Sequence, residues 1–575
     1  AYRSASNAYI RKYNKFLYDD PERPGYPKEV VMPKGGFYNR KENDLLNYYQ
    51  RAMVNYNTSF NGGLHTLNVM AGEEVRYSNR KSSFFNGFGY QWDRGGVPFI
   101  DYRIIKQQIE NGVNFYGMDE NYDRFVAFFA TAGYSYNDLY VFNLTGRYDG
   151  SNKLGKSRSA RWLPTWNVSG AWHIYNEKFM QSVEKISRLT LRATYGLTAS
   201  MGSSSNSLPV YYNDATFRPT QSDKENMIYI SSLENSELTW EKQYEFNVGV
   251  DVGVLDNRIS LTFDAYWRKG FDLIGNIRTS GIGGEVSKKA NFANMKSNGV
   301  EFTLNTKNFD KGAFKWSSNL TFSYNQNEVT DLKSRPRVID FVKAEGSPRE
   351  GYPVRGIFSI PYMGLSDEGI PRSLNENGEV VTGDVNFQET IKIDFLKYEG
   401  PVDPKYFGGF GNTFSYSNFT LNVFVNYQFG NKIRLHRYYH YDYSDLDAMP
   451  NEFSDRWVLP GDELKTNIPA ILSRRQYKRP KNEYQVAYNA YNYSNVRIAD
   501  GSFIRLKDIS LAYRFPKRWM KSVGLSSVQL KCMISNVALL YRDKKLHGQD
   551  PEFFRSGGVA MPVPRQVTFA LKVGF

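Results

Sequence analysis

Apolar and polar positions alternate along this chain, strand after strand, from about residue 45 to the last residue. In the segment from Gln243 to Val254, Tyr244, Phe246, Val248, Val250, Val252 and Val254 are apolar, and the residues between them are polar or glycine. Strand side chains point alternately to opposite faces, so such a segment has one oily face and one wet face. Leu261, Phe263, Ala265 and Trp267 repeat the pattern against Ser260, Thr262 and Asp264, and Leu255 to Arg258 between the two segments predicts a hairpin turn. Phe142 and Leu144 alternate likewise with Asn143, Thr145 and Arg147, and Leu320, Phe322 and Tyr324 with Asn319, Thr321, Ser323 and Asn325. Leu421, Val423, Val425, Tyr427 and Phe429 alternate with Asn422, Asn426 and Gln428, although Phe424 breaks the polar side.

This reading gives about 15 strand candidates, near residues 45–56, 63–77, 122–135, 138–149, 161–173, 187–198, 239–254, 258–270, 297–308, 313–326, 404–417, 418–430, 502–516, 526–538 and 565–575. Some connections are short, as at 136–137, 308–312 and 416–418. Others are long, near 78–121, 199–238, 271–296, 327–403, 431–501 and 539–564. Compact domains seldom hold several loops of that size, whereas a transmembrane barrel has short turns at one end and long loops at the other. Soluble β-sandwich modules also alternate, but their strands usually run roughly 3 to 10 residues, shorter than many candidates here. The expected class is therefore all-β, a transmembrane antiparallel β-barrel. Asn143, Arg147, Glu245, Asp251, Asp264, Thr303 and Asn325 would line its wet interior. Phe142, Leu144, Phe246, Val250, Phe263 and Phe322 would face lipid. On that division, arginine at Val250 should impair assembly far more than arginine at neighbouring Gly249.

Composition strengthens this picture. Of the 575 residues, 16% are aromatic, yet the mean hydropathy is only −0.56, as suits a wall with one dry face and aromatic girdles. No run approaches the roughly 20 apolar residues of a membrane-crossing helix. Ala1-Tyr2-Arg3 resembles neither a signal peptide nor a start, and reads as the beginning of a processed or partial chain. The one cysteine, Cys532, excludes an internal disulfide and falls on the apolar side of its strand. The net charge of +14 is scattered along the chain, with no basic helix, so nucleic acid is not an expected partner.

Catalytic signatures are missing: there is no GxGxxG, P-loop, HExxH or GxSxG motif. No enzyme activity, cofactor or metal site is expected. His436 and His440 have i,i+4 spacing, but their Tyr- and Asp-rich surroundings do not predict the helix that would bring them together. Noncovalent recognition is the better use of that long segment. Tyr438, Tyr439, Tyr441, Trp457, Tyr488 and Tyr491 offer flat rings to sugars or peptide groups, and Asp442 offers a directional acceptor. The alternative use of these rings is to pack the loop against its neighbours.

Ordered motifs then point to a family. Tyr134-Ser135-Tyr136-Asn137-Asp138 leads into Gly146 to Ser151, and Leu238-Thr239-Trp240-Glu241-Lys242 precedes Phe246-Asn247-Val248-Gly249. Tyr266 to Lys269, Asn298-Gly299-Val300-Glu301-Phe302, Glu350-Gly351-Tyr352-Pro353 and Gly408-Gly409-Phe410 follow, and Asp500 to Lys507 and Pro562 to Arg565 complete the series. In this order they resemble the SusC/RagA-like TonB-dependent outer-membrane transporters of Bacteroidetes, across nearly the whole chain. The resemblance implies a barrel of about 22 strands, of which this chain is the C-terminal portion, with an N-terminal plug and the remaining strands on an upstream segment. It also implies active import of oligosaccharides or oligopeptides, with a SusD-like surface lipoprotein as lid and the TonB–ExbB–ExbD system as motor. Where many relatives continue into an Asp/Asn/Gly-rich run, this chain has Val385 to Thr390, a departure from the pattern on which a bound cation there would rest. A non-transporting surface adhesin or glycan-binding protein, or a passive porin, is the alternative function.

Overall fold

The computed structural model describes residues 36–575 apart from 91–94, 97, 99–113, 155–157, 202–209, 218–223, 233–234, 236–237, 280, 282–285, 444–450, 474, 476, 522–523 and 554–563. One 15-stranded antiparallel sheet dominates it. Its first half comprises β1 (Gly36–Phe60), β2 (His65–Tyr90), β3 (Tyr116–Tyr136), β4 (Tyr140–Ser151), β5 (Trp162–Trp172) and β6 (Ile186–Ser200). A separate hairpin, β7 (Val210–Phe217) and β8 (Lys224–Ser232), interrupts the order. The sheet resumes with β9 (Glu241–Val254), β10 (Ile259–Arg278), β11 (Ser287–Lys311) and β12 (Phe314–Leu332). Five small-sheet strands follow: β13 (Gly356–Ser359), β14 (Tyr362–Leu365), β15 (Pro371–Leu374), β16 (Val380–Val381) and β17 (Lys397–Pro401). The main sheet continues through β18 (Tyr406–Tyr416) and β19 (Phe419–Phe429), then after β20 (Lys432–Arg434) and β21 (Ile498–Asp500) through β22 (Phe503–Arg514), β23 (Ser527–Tyr541) and β24 (Gln566–Gly574).

Every sequence candidate falls on a strand of the main sheet, but several strands run further. β1 has 25 residues, β2 has 26 and β11 has 25, against about 9–11 needed to cross a bilayer. In the added lengths of β1 and β2, Arg40 to Asp44 lie opposite Lys81 to Phe85, with the adjacent Phe84 and Phe85 on opposite faces. Backbone pairing persists there without a regular apolar face, so the alternation that reveals a strand is lost.

Register aligns the two faces across strands. Leu191, Val250, Phe263, Phe302 and Phe322 form one continuous row from β6 to β12. Phe142, Leu144, Phe246, Phe263 and Trp267 are exposed on this side, where Phe246 stacks on Trp267 and Phe302 on Phe322. Cys532 lies opposite Leu511 and Phe569 on the same apolar face.

On the opposite face charges interlock. Arg192 reaches Asp251 at 3.1 Å and Asp264 at 3.2 Å, Arg188 adds a bond to Asp251, and Thr262 donates to Asp251 at 3.0 Å. Arg268 pairs with Glu245 at 2.8 Å, and Arg147 bridges Asp149 and Glu74. Arg147, Glu245, Asp251 and Asp264 are residues that the alternation placed inward, and their partners lie on the same strand, as Asp149 does for Arg147, or on nearby strands of the sheet.

Two glycines show why the wet face is not simply polar. A Cβ at Gly249 would lie 2.5 Å from Asp264 and 2.7 Å from the Arg192 guanidinium, so this position is the groove through which the ion pair passes. Arginine at Gly249 would displace the pair, which makes Gly249 an unsuitable neutral comparison for Val250. The structure thus corrects the comparison drawn from alternation alone. Phe424, the break in the alternation, points to the inner face over Gly409, where a Cβ would meet its ring at 2.6 Å. Gly409 and Gly411, two residues apart and so on one face, make room for that inward ring, while Gly408 faces Thr321 and Tyr427.

Connections alternate in length. Turns at 61–64, 137–139, 255–258, 312–313 and 417–418 lie at one end of the sheet, while segments 333–405, 430–502 and 542–565 leave from the other. The described parts of 333–405 and 430–502 carry small sheets and buried clusters of their own.

Candidate functional site

The segments 333–405 and 430–502 fold together at the long-loop end. Their small sheets pair β13 with β17, β14 with β15 and β16, and β20 with β21. A helix, α1 (Lys481–Asn492), joins the two segments: Tyr484, Ala487, Tyr488 and Tyr491, spaced along one helical face, are all buried. That spacing was the available sequence signal for α1, obscured because tyrosine also suits strands and loops.

The rings proposed from sequence as recognition residues meet here, mostly in the interior. Tyr439, Trp457, Tyr488 and Tyr491 belong to one buried cluster with Leu365, Ile370 and Phe453, and Tyr438 and Tyr441 pack against its edge. Asp442 is exposed. Tyr439, 1% exposed, stacks on Phe453 with centroids 5.0 Å apart and meets Tyr491 edge-on. Its backbone exchanges hydrogen bonds with the Asn492 side chain at the end of α1. The Tyr488 hydroxyl donates to the Ala470 carbonyl at 2.5 Å, and Trp457 Nε1 donates to Glu463 at 3.0 Å. Burial of the four rings, with the polar ends of Tyr439, Trp457 and Tyr488 hydrogen-bonded, makes them the core that supports the surface. Burial raises the Tyr488 and Tyr491 phenols far above the ordinary range, so both stay neutral. His436 and His440 lie on irregular chain, with no helix to juxtapose them.

A charged clasp ties this body to the last long segment. Glu452 accepts from the Tyr439 hydroxyl at 2.6 Å and from Arg497 at 2.8 Å, and His547 approaches it at 3.3 Å. Burial pushes the Glu452 carboxyl up, but Arg497, the Tyr439 hydroxyl and His547 outweigh it and hold it below the ordinary glutamate range. A depressed carboxyl contributes stability that is fully present above its unfolded pKa, about 4.3, and is lost as pH falls through the folded value. Acidification from pH 7 to below 4 should therefore loosen the body, read as increased cleavage near Trp457 under limited proteolysis. Glu452→Gln should flatten that dependence; an unchanged profile would rule out Glu452 as its source.

Beneath the clasp, the Asp500 to Lys507 motif acquires its physical meaning. Arg505, 5% exposed at its side chain, contacts Asp550 at 2.6 Å and Glu552 at 2.8 Å. Asp500 accepts from the Ser502 backbone at 2.8 Å and pairs with Lys432. The motif fastens wall strand β22 to the final long segment. In the Val385 to Thr390 region, Glu389 accepts backbone N–H bonds from Thr390, Ile391 and Lys392, so the turn is closed by peptide donors. Among the described residues no group of three His, Cys, Asp or Glu side chains is arranged to hold a metal.

Comparison with known proteins agrees with this architecture. The family model described as TonB dependent receptor-like, beta-barrel, matches residues 3–532. TonB-dependent receptor P3 of Formosa agariphila is 25% identical over 535 residues, covering 90% of this chain and 49% of that protein. TonB-dependent receptor SusC of Bacteroides thetaiotaomicron is 26% identical over 532 residues, covering 88% of this chain and 48% of its own length. The chain thus spans about half the length of these relatives. The solved RagAB peptide importer in its 'closed-closed' state superposes with a TM-score of 0.76 at 20% identity, covering 96% of this chain and 58% of that one. The SusC/RagA resemblance carried by the ordered motifs is in accord with these matches. The chain belongs to the TonB dependent receptor-like β-barrel family, and its strands form outer-membrane wall.

Proposed function

We propose that this chain is the strand-rich portion of an active importer that brings oligosaccharides or oligopeptides across the outer membrane without covalent chemistry. The observation that carries this reading is the folded body at the long-loop end, set on a wall whose inner face holds interlocked charges. A passive pore needs a constriction, but it has no use for a body with its own aromatic core and a helix bracing it. Relatives named TonB-dependent receptors, and a matching structure named a peptide importer, support the same reading.

In this reading a SusD-like lipoprotein closes over the body and encloses ligand. TonB, energised through ExbB and ExbD, then pulls a plug carried on an upstream segment. Ligand and mechanical work bias two discrete arrangements of lid and plug. Of the aromatic segment, Asp442 and the edges of Tyr438 and Tyr441 are the groups that reach ligand. Tyr439, Trp457, Tyr488 and Tyr491 hold them in place.

Native mass spectrometry of the detergent-extracted complex, purified through this chain, tests the proposal. The expected result is co-recovery of a plug-bearing segment, a surface lipoprotein and a small glycan or peptide, with cellular uptake abolished when the proton-motive force is collapsed. Recovery of a closed oligomer lacking all three, with uptake indifferent to that force, would replace the importer with a porin.

A further inference from the structure

A cleft of about 480 Å³ opens where the two folded segments meet, between residues 340–347 on one side and β20 with the chain that follows it on the other. Arg434, His436, Arg437, Lys343 and Tyr493 line it. Its cations are unevenly matched. Arg434, 2% exposed, spends its terminal nitrogens on neutral acceptors: the Ser494 carbonyl at 3.1 Å, the Phe358 carbonyl at 2.7 Å and the Ser359 hydroxyl at 2.9 Å. Its Nε is buried without a partner among the described residues. Glu399 acts on it only at longer range. Arg437 is exposed, donates to the Tyr493 hydroxyl at 2.7 Å and lies over that ring, again with no carboxylate within ion-pair distance among the described residues.

A buried guanidinium held by neutral groups is costly unless charge arrives from elsewhere. Acidic groups do line the cleft, but Asp340 is already engaged by Arg337 at 3.1 Å and Lys343 at 3.6 Å, which leaves Glu345 to oppose two arginines. The neighbouring imidazole registers the same field: burial, then Arg437 and Arg497, depress His436. Burial likewise lowers Arg434 to about 9, where it is still cationic at neutral pH.

We infer that this cleft binds a carboxylate of the transported ligand, with Arg437 as the contacting group and Arg434 as the fixed charge behind it. Arg437 supplies a planar pair of donors suited to a carboxylate, and the Tyr493 ring beneath it limits its orientation. The chemistry is shared by two sources, the free C-terminus of a peptide and the acid group of an acidic sugar. The inference rests on the importer reading, since it assigns part of the cargo's contact.

The test uses the complex purified through this chain, in detergent and without an energy source. Binding of a short uncharged peptide with a free C-terminus is compared with its C-terminal amide, and binding of an oligogalacturonate is compared with its methyl ester. One acid form should bind roughly tenfold more tightly than its own neutral derivative, the range expected for one charge-assisted hydrogen-bonded contact. Whichever pair shows the preference names the source. Arg437→Gln, at an exposed site, should bring the ratio close to unity by weakening the acid form about tenfold more than the neutral derivative, with the amount of folded, heat-modifiable barrel unchanged. Equal binding within both pairs, no binding of any probe, or a preference that survives Arg437→Gln overturns the inference. Because binding is read without energy, it can fail while co-purification of lid and plug and energy-dependent uptake stand, and the reverse failure is equally distinct.

Discussion

Val250→Arg should sharply reduce the amount of folded, heat-modifiable protein in the outer membrane, whereas Thr303→Arg, at nearly the same height, should leave it close to normal. Val250 sits in the apolar row with Leu191, Phe263, Phe302 and Phe322, and arginine on the lipid face at mid-depth costs about 2 to 4 kcal/mol. Thr303 lies opposite Thr262 and Thr321 on the wet face, where a long cation can reach water and the neighbouring Glu301. A barrel has no interior slack for the first change, because a strand slipped by one residue to hide the arginine would turn its whole apolar set inward. Thr303 is the better partner for this comparison, since a side chain at Gly249 would run into the Asp264–Arg192 pair. Equal yields from the two variants would refute the assignment of faces.

Arg505→Met should release the segment around residues 543–553 from the wall. The arginine is 5% exposed at its side chain and faces two carboxylates, Asp550 at 8% and Glu552 at 34%. Removing it leaves a buried carboxylate without its cation, and breaking a buried pair from one side costs about 3 to 5 kcal/mol. The segment also carries His547 to Glu452, so the loss should spread to the aromatic body. Limited proteolysis should show new cuts between residues 543 and 553 while the strands remain protected. The double variant Arg505→Met with Asp550→Leu should recover part of the protection, since replacing both charges removes the unpaired group. If the single variant is as resistant as the parent, the motif's arginine has a role other than fastening this segment.

The folded body explains how such a long excursion from a sheet remains ordered. Aromatic burial in the cluster around Tyr439 and Tyr488 supplies the apolar contact that a polar loop lacks, and a second cluster around Phe341, Phe358 and Tyr493 continues it on the far side of α1. Tyr493 belongs to that second cluster and also floors the arginine cleft. Packing of the body and geometry of the proposed carboxylate contact are therefore coupled: a change that loosens the second cluster should also weaken ligand preference.

Residues 243–254 illustrate what the linear order of residues could settle alone. Period-two alternation is a local property, imposed wherever a strand separates lipid from water, so strand number, order and facing could be read directly, and Phe246, Val250 and Phe263 emerged on the apolar side. Motif order did the same for the family. The aromatic segment was legible only in part. A tyrosine has both a ring to bury and a hydroxyl to bond, so nothing local distinguishes the buried Tyr439 from the partly exposed Tyr438 beside it. Tertiary structure decided that difference by bringing Phe453, Glu452 and α1 onto one of the two. It alone revealed the groove at Gly249, the partner of Arg505 and the cleft between Lys343 and Arg437, because each depends on groups far apart in the chain whose contact is set by register and packing.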